Sequence, residues 1–187
     1  MRVHDRTDGG HEERAVEQTD VPAAVPGDDA PHRLSMTVLM TPDMANFSGN
    51  VHGGQLLKLL DTVAYTCASR YSRHYAVTLS VDQVVFREAI HVGELVTFQA
   101  SVNYTGRTSM EIGIRVTAED MADQRVRHTN SCYFTMVALD PAGAPVPVPP
   151  LEPVSPDQKR RHAAALLRRE LRREIEQRSR EIRRITD

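Results

Sequence analysis

The stretch "GGQLLKLLDTVAYTCASRY", Gly53–Tyr71, restricts the fold of this chain more than any other. Leu56, Leu59, Leu60, Val63, Ala64, Cys67 and Ala68 recur at offsets of three and four, which predicts one helix with a wide apolar stripe. Such a stripe has to be covered, and the neighbouring runs read as strands. "RLSMTVLM" precedes the helix and stops at the turn signal "TPD". "AVTLSVDQVVFREAI", "ELVTFQASVNYT", "SMEIGIRVTAED" and "QRVRHTNSCYFTMVAL" follow it. In the third of these, Met110, Ile112, Ile114 and Val116 alternate with Glu111, Gly113 and Arg115, the pattern of a half-buried antiparallel strand. Gly93, Gly106–Arg107 and Asp123 mark the junctions as hairpins. The order strand, helix, then four strands in a meander predicts an α+β layer with one long helix against an antiparallel sheet.

The flanks read differently. Residues 1 to about 31 are acidic and poor in large apolar side chains, which predicts a disordered tail. The folded domain is expected over 32–145, and 146–187 hold a connector and a charged helix. "DPAGAPVPVPPLEPVSP" is a semi-rigid extended connector, and Ser155-Pro156-Asp157-Gln158 has the pattern of a helix start with a capping box. The helix that follows carries a narrow stripe of Leu167, Leu171, Ile175, Ile182 and Ile185 among Arg and Glu, which reads as a solvated helix docked by that edge.

Lys plus Arg number 23 against 25 for Asp plus Glu, so no overall field favours nucleic acid or an anionic membrane. Cys67 and Cys132 have no close spacing and read as buried free thiols. The N-terminus lacks the apolar core of a signal peptide, and no apolar run reaches membrane-spanning length; a soluble cytoplasmic protein without membrane insertion is expected. There is no glycine-rich phosphate loop and no clustered set of metal ligands, so neither metal nor cofactor is expected.

"TPDMANFSGNVHGG", "KLLDTVAY", "VTLSVDQVVF", "VGELVTFQASV", "GRTSMEI" and "VPVPPLEP" occur in this order, and with them the chain resembles the hot-dog-fold acyl-CoA thioesterases of the cytosolic acyl-CoA hydrolase type, from about Ser35 to the end. The resemblance implies a long central helix wrapped by a curved antiparallel sheet, pairing of two units edge to edge, and a trimer of those pairs. It implies hydrolysis of acyl-CoA, of medium to long chain, to free fatty acid and CoA. In vertebrate relatives two units are fused, one supplying a catalytic Asn and the other a catalytic Asp. This chain has Asn50 and Asp61 in those roles together, so a homodimer would hold two complete sites. The alternatives are a hot-dog hydratase or dehydratase, and a domain that binds acyl-CoA without hydrolysing it.

Two glycines at a helix start cost roughly 1 kcal/mol each relative to alanine and call for a reason. Unpartnered N–H groups at Gly53 and Gly54, with no side chain in the way and the helix dipole behind them, make an oxyanion hole for a thioester carbonyl. His52 reads as a residue lining the site or structural. Asp61 acts on the thioester either as nucleophile or by activating water. It lies seven residues beyond Gly54, about 10 Å along the helix, so a carbonyl held at the N-terminus of one helix is better reached by the Asp61 of a partner. The turn Arg107-Thr108-Ser109 offers one cation and two hydroxyls to the phosphates of CoA.

Overall fold

The computed structural model describes residues 30–186, so the expected N-terminal tail falls almost wholly outside the described residues. Five strands, β1 (Arg33–Leu39), β2 (Tyr75–Val81), β3 (Leu95–Thr105), β4 (Ser109–Glu119) and β5 (Val126–Leu139), form one antiparallel sheet in the order β1-β3-β4-β5-β2. Helix α1 (Gly53–Ser72) packs on one face of the sheet and α2 (Pro156–Thr186) on the other. This is the hot-dog arrangement.

α1 buries Leu56, Leu60, Val63, Ala64, Cys67 and Ala68, the stripe its periodicity announces. The small residues Ala64, Cys67 and Ala68 let the helix lie close to the sheet, while Leu60 is fully buried in the same core as Phe98 and Phe134. Burying each of Leu56, Leu60 and Val63 is worth about 2 kcal/mol. Arg73 closes the helix in the left-handed conformation, its N–H donating to the Ser69 carbonyl. Val96, Phe98, Ala100, Met110, Ile112, Ile114, Cys132, Phe134 and Met136 meet α1 from every second position of β3, β4 and β5. Burial pushes the Cys67 and Cys132 thiols up to about 12.

The expected meander is corrected at its first strand. β2 ends at Val81, and residues 82–94 cross irregularly to β3 instead of continuing as a strand. β2 therefore pairs with β5, Thr78 opposite Met136, and becomes an edge strand, while β1 takes the place beside β3. Gly93 (φ +90°) turns the chain into β3 but makes no hairpin between neighbours.

The proline-rich connector runs back over the sheet. Val148 N–H donates to the Arg107 carbonyl, Leu151 N–H to Thr105 Oγ1, and Tyr71 Oη to the Pro149 carbonyl. It delivers Ser155 as N-cap: Ser155 Oγ accepts from Gln158 N–H at 3.2 Å and Gln158 Oε1 from Ser155 N–H at 2.8 Å, the reciprocal capping box.

The docking edge of α2 differs from the expected one. Leu167, Leu171, Ile175 and Ile182 are exposed, and the helix binds through Ala165 and its arginines. Glu111, 1% exposed on the outer face of β4, is held by Arg168 Nη2 at 2.6 Å and Arg172 Nη2 at 2.7 Å. Arg172 also reaches Asp82 at 2.8 Å, and Arg168 lies 3.5 Å over the Tyr133 ring. A buried carboxylate has to be paired, so the sheet presents a fixed anion and the helix is fastened to it by charge. Among the described residues, no helix is long and apolar enough to cross a membrane.

Replacing Glu111 by Ala leaves two arginines facing each other under α2 and is expected to cost about 3 kcal/mol of unfolding free energy. Urea denaturation followed by circular dichroism checks this.

Candidate active site

The loop before α1 is shaped by its own polar groups. Asn46 Oδ1 accepts from the N–H groups of Ser48 (2.8 Å) and Asn50 (3.1 Å), and Asn46 N–H donates to the Asn50 carbonyl at 2.6 Å. Gly49 (φ +78°) makes this turn possible. With Oδ1 engaged twice, the Asn46 amide is fixed in orientation and its Nδ2 donor faces away from the turn. The loop passes Val51 into the core and reaches His52 as N-cap.

The imidazole of His52 caps the helix, its Nδ1 accepting from Gly54 N–H at 2.9 Å. A Cβ at position 54 would stand 3.0 Å from that nitrogen, so glycine lets the imidazole fold back. The expectation of two open N–H groups is corrected accordingly. Gly54 N–H is committed to His52, whereas Gly53 N–H meets no acceptor among the described residues. The Phe86 ring lies 3.6 Å from where a Gly53 Cβ would be and walls that side.

Asn50 is a brace. Its Oδ1 lies 2.8 Å from His91 Nδ1, and Asn50 and His91 form a backbone bridge. His91 N–H donates to Glu94 Oε2, and Glu94 takes two bonds from Arg127, whose Nη2 also caps the Ala89 carbonyl. Burial raises the Glu94 carboxyl, but the Arg127 and His91 bonds outweigh it and hold it below the usual range. The sequence passed over His91, Glu94 and Arg127, which act together only because residues 82–94 return beside the loop.

Asp61 stands in the middle of α1 on the side away from the core. It is exposed in the single chain. Thr78 Oγ1 of β2 donates to Asp61 Oδ1 at 2.6 Å, and Oδ2 takes no hydrogen bond among the described residues. The same two elements carry exposed Leu57, Tyr65, Tyr75, Leu79 and Val81, and the outer edge of β2 is unpaired among the described residues. Among the described residues, no hydrogen bond joins Asp61 to Asn46, Asn50, Gly53 or Gly54. At ~1.5 Å per residue, Asp61 lies about 12 Å along α1 from Gly53.

The β3–β4 turn is held from both sides, Ala138 N–H donating to the Thr108 carbonyl and Val148 N–H to that of Arg107. The Arg107 side chain is exposed. Met110, just past Ser109, pairs with Met136, which pairs with Thr78, so the turn and Thr78 are level across the sheet, two strand spacings or about 10 Å apart.

The sequence pattern of the Thioesterase superfamily matches residues 48–123. The chain is 51% identical over 140 residues to protein VdlD of Helicobacter pylori, 75% of this chain and 80% of that one. This chain belongs to the hot-dog thioesterase superfamily. A hexameric acyl-CoA thioesterase in its apo form superposes on this thioesterase with a TM-score of 0.73 at 34% identity, covering 76% of this chain and 91% of the other. The acyl-CoA hydrolase of Staphylococcus aureus, in complex with butyryl coenzyme A, coenzyme A and coenzyme A disulfide, gives a TM-score of 0.71 at 28% identity over 80% of this chain and 93% of its own. That hydrolase has also been crystallised with an asparagine, an aspartate or a threonine changed to alanine. The aspartate follows the asparagine by 15 residues and precedes the threonine by 17.

Because the folded-state Glu94 carboxyl is depressed, its contribution to stability is present above its unfolded value of about 4.3 and is lost as pH falls through the folded one. Acidification from about pH 5 to pH 3 should therefore destabilise wild type more than Glu94→Gln. Melting temperatures of the two across that range check the difference.

Proposed function

We propose that this thioester hydrolase cleaves fatty acyl-CoA, of medium to long chain, to free fatty acid and CoA, at sites each assembled from two subunits. One observation carries the reading: the Asp61–Thr78 pair sits at a free sheet edge among exposed apolar side chains, about 12 Å along α1 from the hydrogen-bond donors at its N-terminus. An exposed apolar edge strand calls for a partner. A second copy pairing β2 to β2 about a two-fold axis sets the helices antiparallel and brings the N-terminus of one α1 to the Asp61 of the other. A trimer of such pairs is the proposed assembly, in keeping with the hexameric relative.

The spacing of 15 and 17 residues in the Staphylococcus aureus hydrolase is matched here by Asn46, Asp61 and Thr78. We therefore assign the amide role to Asn46 in place of Asn50, which supports the loop through His91. The Asn46 Nδ2 donor and the Gly53 N–H of one subunit hold the thioester carbonyl as charge builds on its oxygen. The partner's Asp61, oriented by Thr78 through Oδ1, takes a proton from the attacking water through Oδ2. The tetrahedral intermediate then expels the CoA thiolate. Arg107, Thr108 and Ser109 are the proposed contacts to CoA, since their turn is level with Thr78. His52 acts as a cap and not as a base, because its Nδ1 is committed to Gly54 N–H.

Thiol release from a series of acyl-CoA lengths tests the reading, and the two buried cysteines of the protein do not react in such an assay. Asp61→Asn should lower kcat by about two orders of magnitude and Thr78→Ala by about tenfold, with Thr78→Ser close to wild type. Near-normal turnover in Asp61→Asn contradicts the mechanism.

A further inference from the structure

α2 leaves a cleft of about 440 Å³ between its first turns and the outer faces of β1, β3, β4 and β5. This is within the size of small-ligand sites. The cleft lies on the side of the sheet away from α1 and Asp61. Four guanidinium groups line it, Arg33, Arg115, Arg160 and Arg161, against one carboxylate, Asp157. Asp157 is 3.4 Å from Arg160 and only 4.0 Å from Arg161. Arg33 and Arg115 pair with no carboxylate among the described residues.

Two features distinguish this cluster from a merely basic surface. Arg161 Nη2 is shut off from solvent and has no hydrogen-bond partner among the described residues, although a buried polar atom is normally satisfied. Burial, and next the charge of Arg33, disfavour the protonated Arg161, and the same two influences hold His32 beside it below the usual histidine range. The other feature is Asn103, 3% exposed, at an irregularity in the β3–β4 register. Ser101 Oγ donates to Asn103 Oδ1 at 2.8 Å, so the amide oxygen is engaged, and no hydrogen bond to Nδ2 is found among the described residues. A Cβ on Gly113 would stand 2.2 Å from that Nδ2, so the glycine makes the space in which the amide lies. The cleft thus combines unneutralised guanidinium groups, an unsatisfied buried N–H and a buried amide donor, with the Ser131 and Tyr133 side chains on its wall. Donors greatly outnumber acceptors. The matching ligand carries several anionic oxygens, and arginine forks suit phosphate.

We propose that this cleft binds a phosphate-bearing small molecule of nucleotide size. Its phosphates belong either to a free nucleotide or to the nucleotide end of a CoA molecule, and the two sources are separable by experiment. Isothermal titration of the full chain with ADP, inorganic pyrophosphate and CoA reads binding without reference to hydrolysis. ADP should bind saturably at one per chain. Arg161→Gln and Arg33→Gln should each weaken it about tenfold or more, while Asp61→Asn leaves it unchanged. Removing one of four clustered cations relieves repulsion, so Arg161→Gln should melt no lower than wild type. If CoA displaces ADP, and Arg161→Gln raises KM for acyl-CoA with kcat held, the phosphates are those of CoA. If ADP binds beside CoA, the ligand is a free nucleotide. Absence of binding by both ADP and pyrophosphate overturns the proposal, as does affinity unchanged in both arginine variants or displacement by sulfate at equal ionic strength.

Discussion

A helix clasped by a sheet along its apolar stripe has only its opposite side left for chemistry, and that constraint governs this structure. Leu56, Leu60, Val63, Cys67 and their neighbours commit one side of α1 to β3, β4 and β5. Asp61 stands on the remaining side, where nothing in the core can position it. Positioning comes from β2, which crosses to the far edge beside β5 and sets Thr78 Oγ1 2.6 Å from the carboxylate. The same crossing leaves the other edge of β2 unpaired, so the residue that orients Asp61 also lies at the surface a second copy would cover.

The outer face of the sheet follows a different rule. Glu111 on β4 is a buried anion that two arginines of α2 neutralise, which anchors the helix in one register without an apolar seam. Earlier in the same helix the balance reverses: Arg160 and Arg161 meet Arg33 and Arg115 with only Asp157 to offset them. The helix is neutralised where it is fastened and left cationic where the cleft opens. Coherent docking of α2 thus coexists with a local excess of positive charge.

Much of this was legible in the residues and part of it was not, for identifiable reasons. The boundaries of α1 and the capping box at Ser155 were readable because periodicity and caps are local signals. The neighbour of β2 was not, because alternation along "AVTLSV" says which side a residue faces but not which strand lies alongside. Thr78 is an ordinary strand residue by type, and only that pairing puts it over Asp61. Asn46 and Asn50 are alike in sequence. They differ once folded, since Asn46 Oδ1 collects two backbone N–H groups while Asn50 Oδ1 meets His91. The docking face of α2 was misread because Leu167, Leu171 and Ile175 are the more hydrophobic stripe, whereas Glu111 looked like a solvent-facing position of β4. The spacing of Arg168 and Arg172 by four residues was the available clue.

The shared site is tested most directly by mixing two inactive chains. In the proposed two-subunit site, Asn46→Ala and Asp61→Ala would each remove one half of every site in a homo-oligomer. When the two are refolded together and pair at random, half of the pairs are mixed, and in each mixed pair one site carries both lesions and the other none. The account predicts recovery of about a quarter of wild-type activity. A mixture that stays inactive, with mixed pairs demonstrated by mass spectrometry, would contradict it.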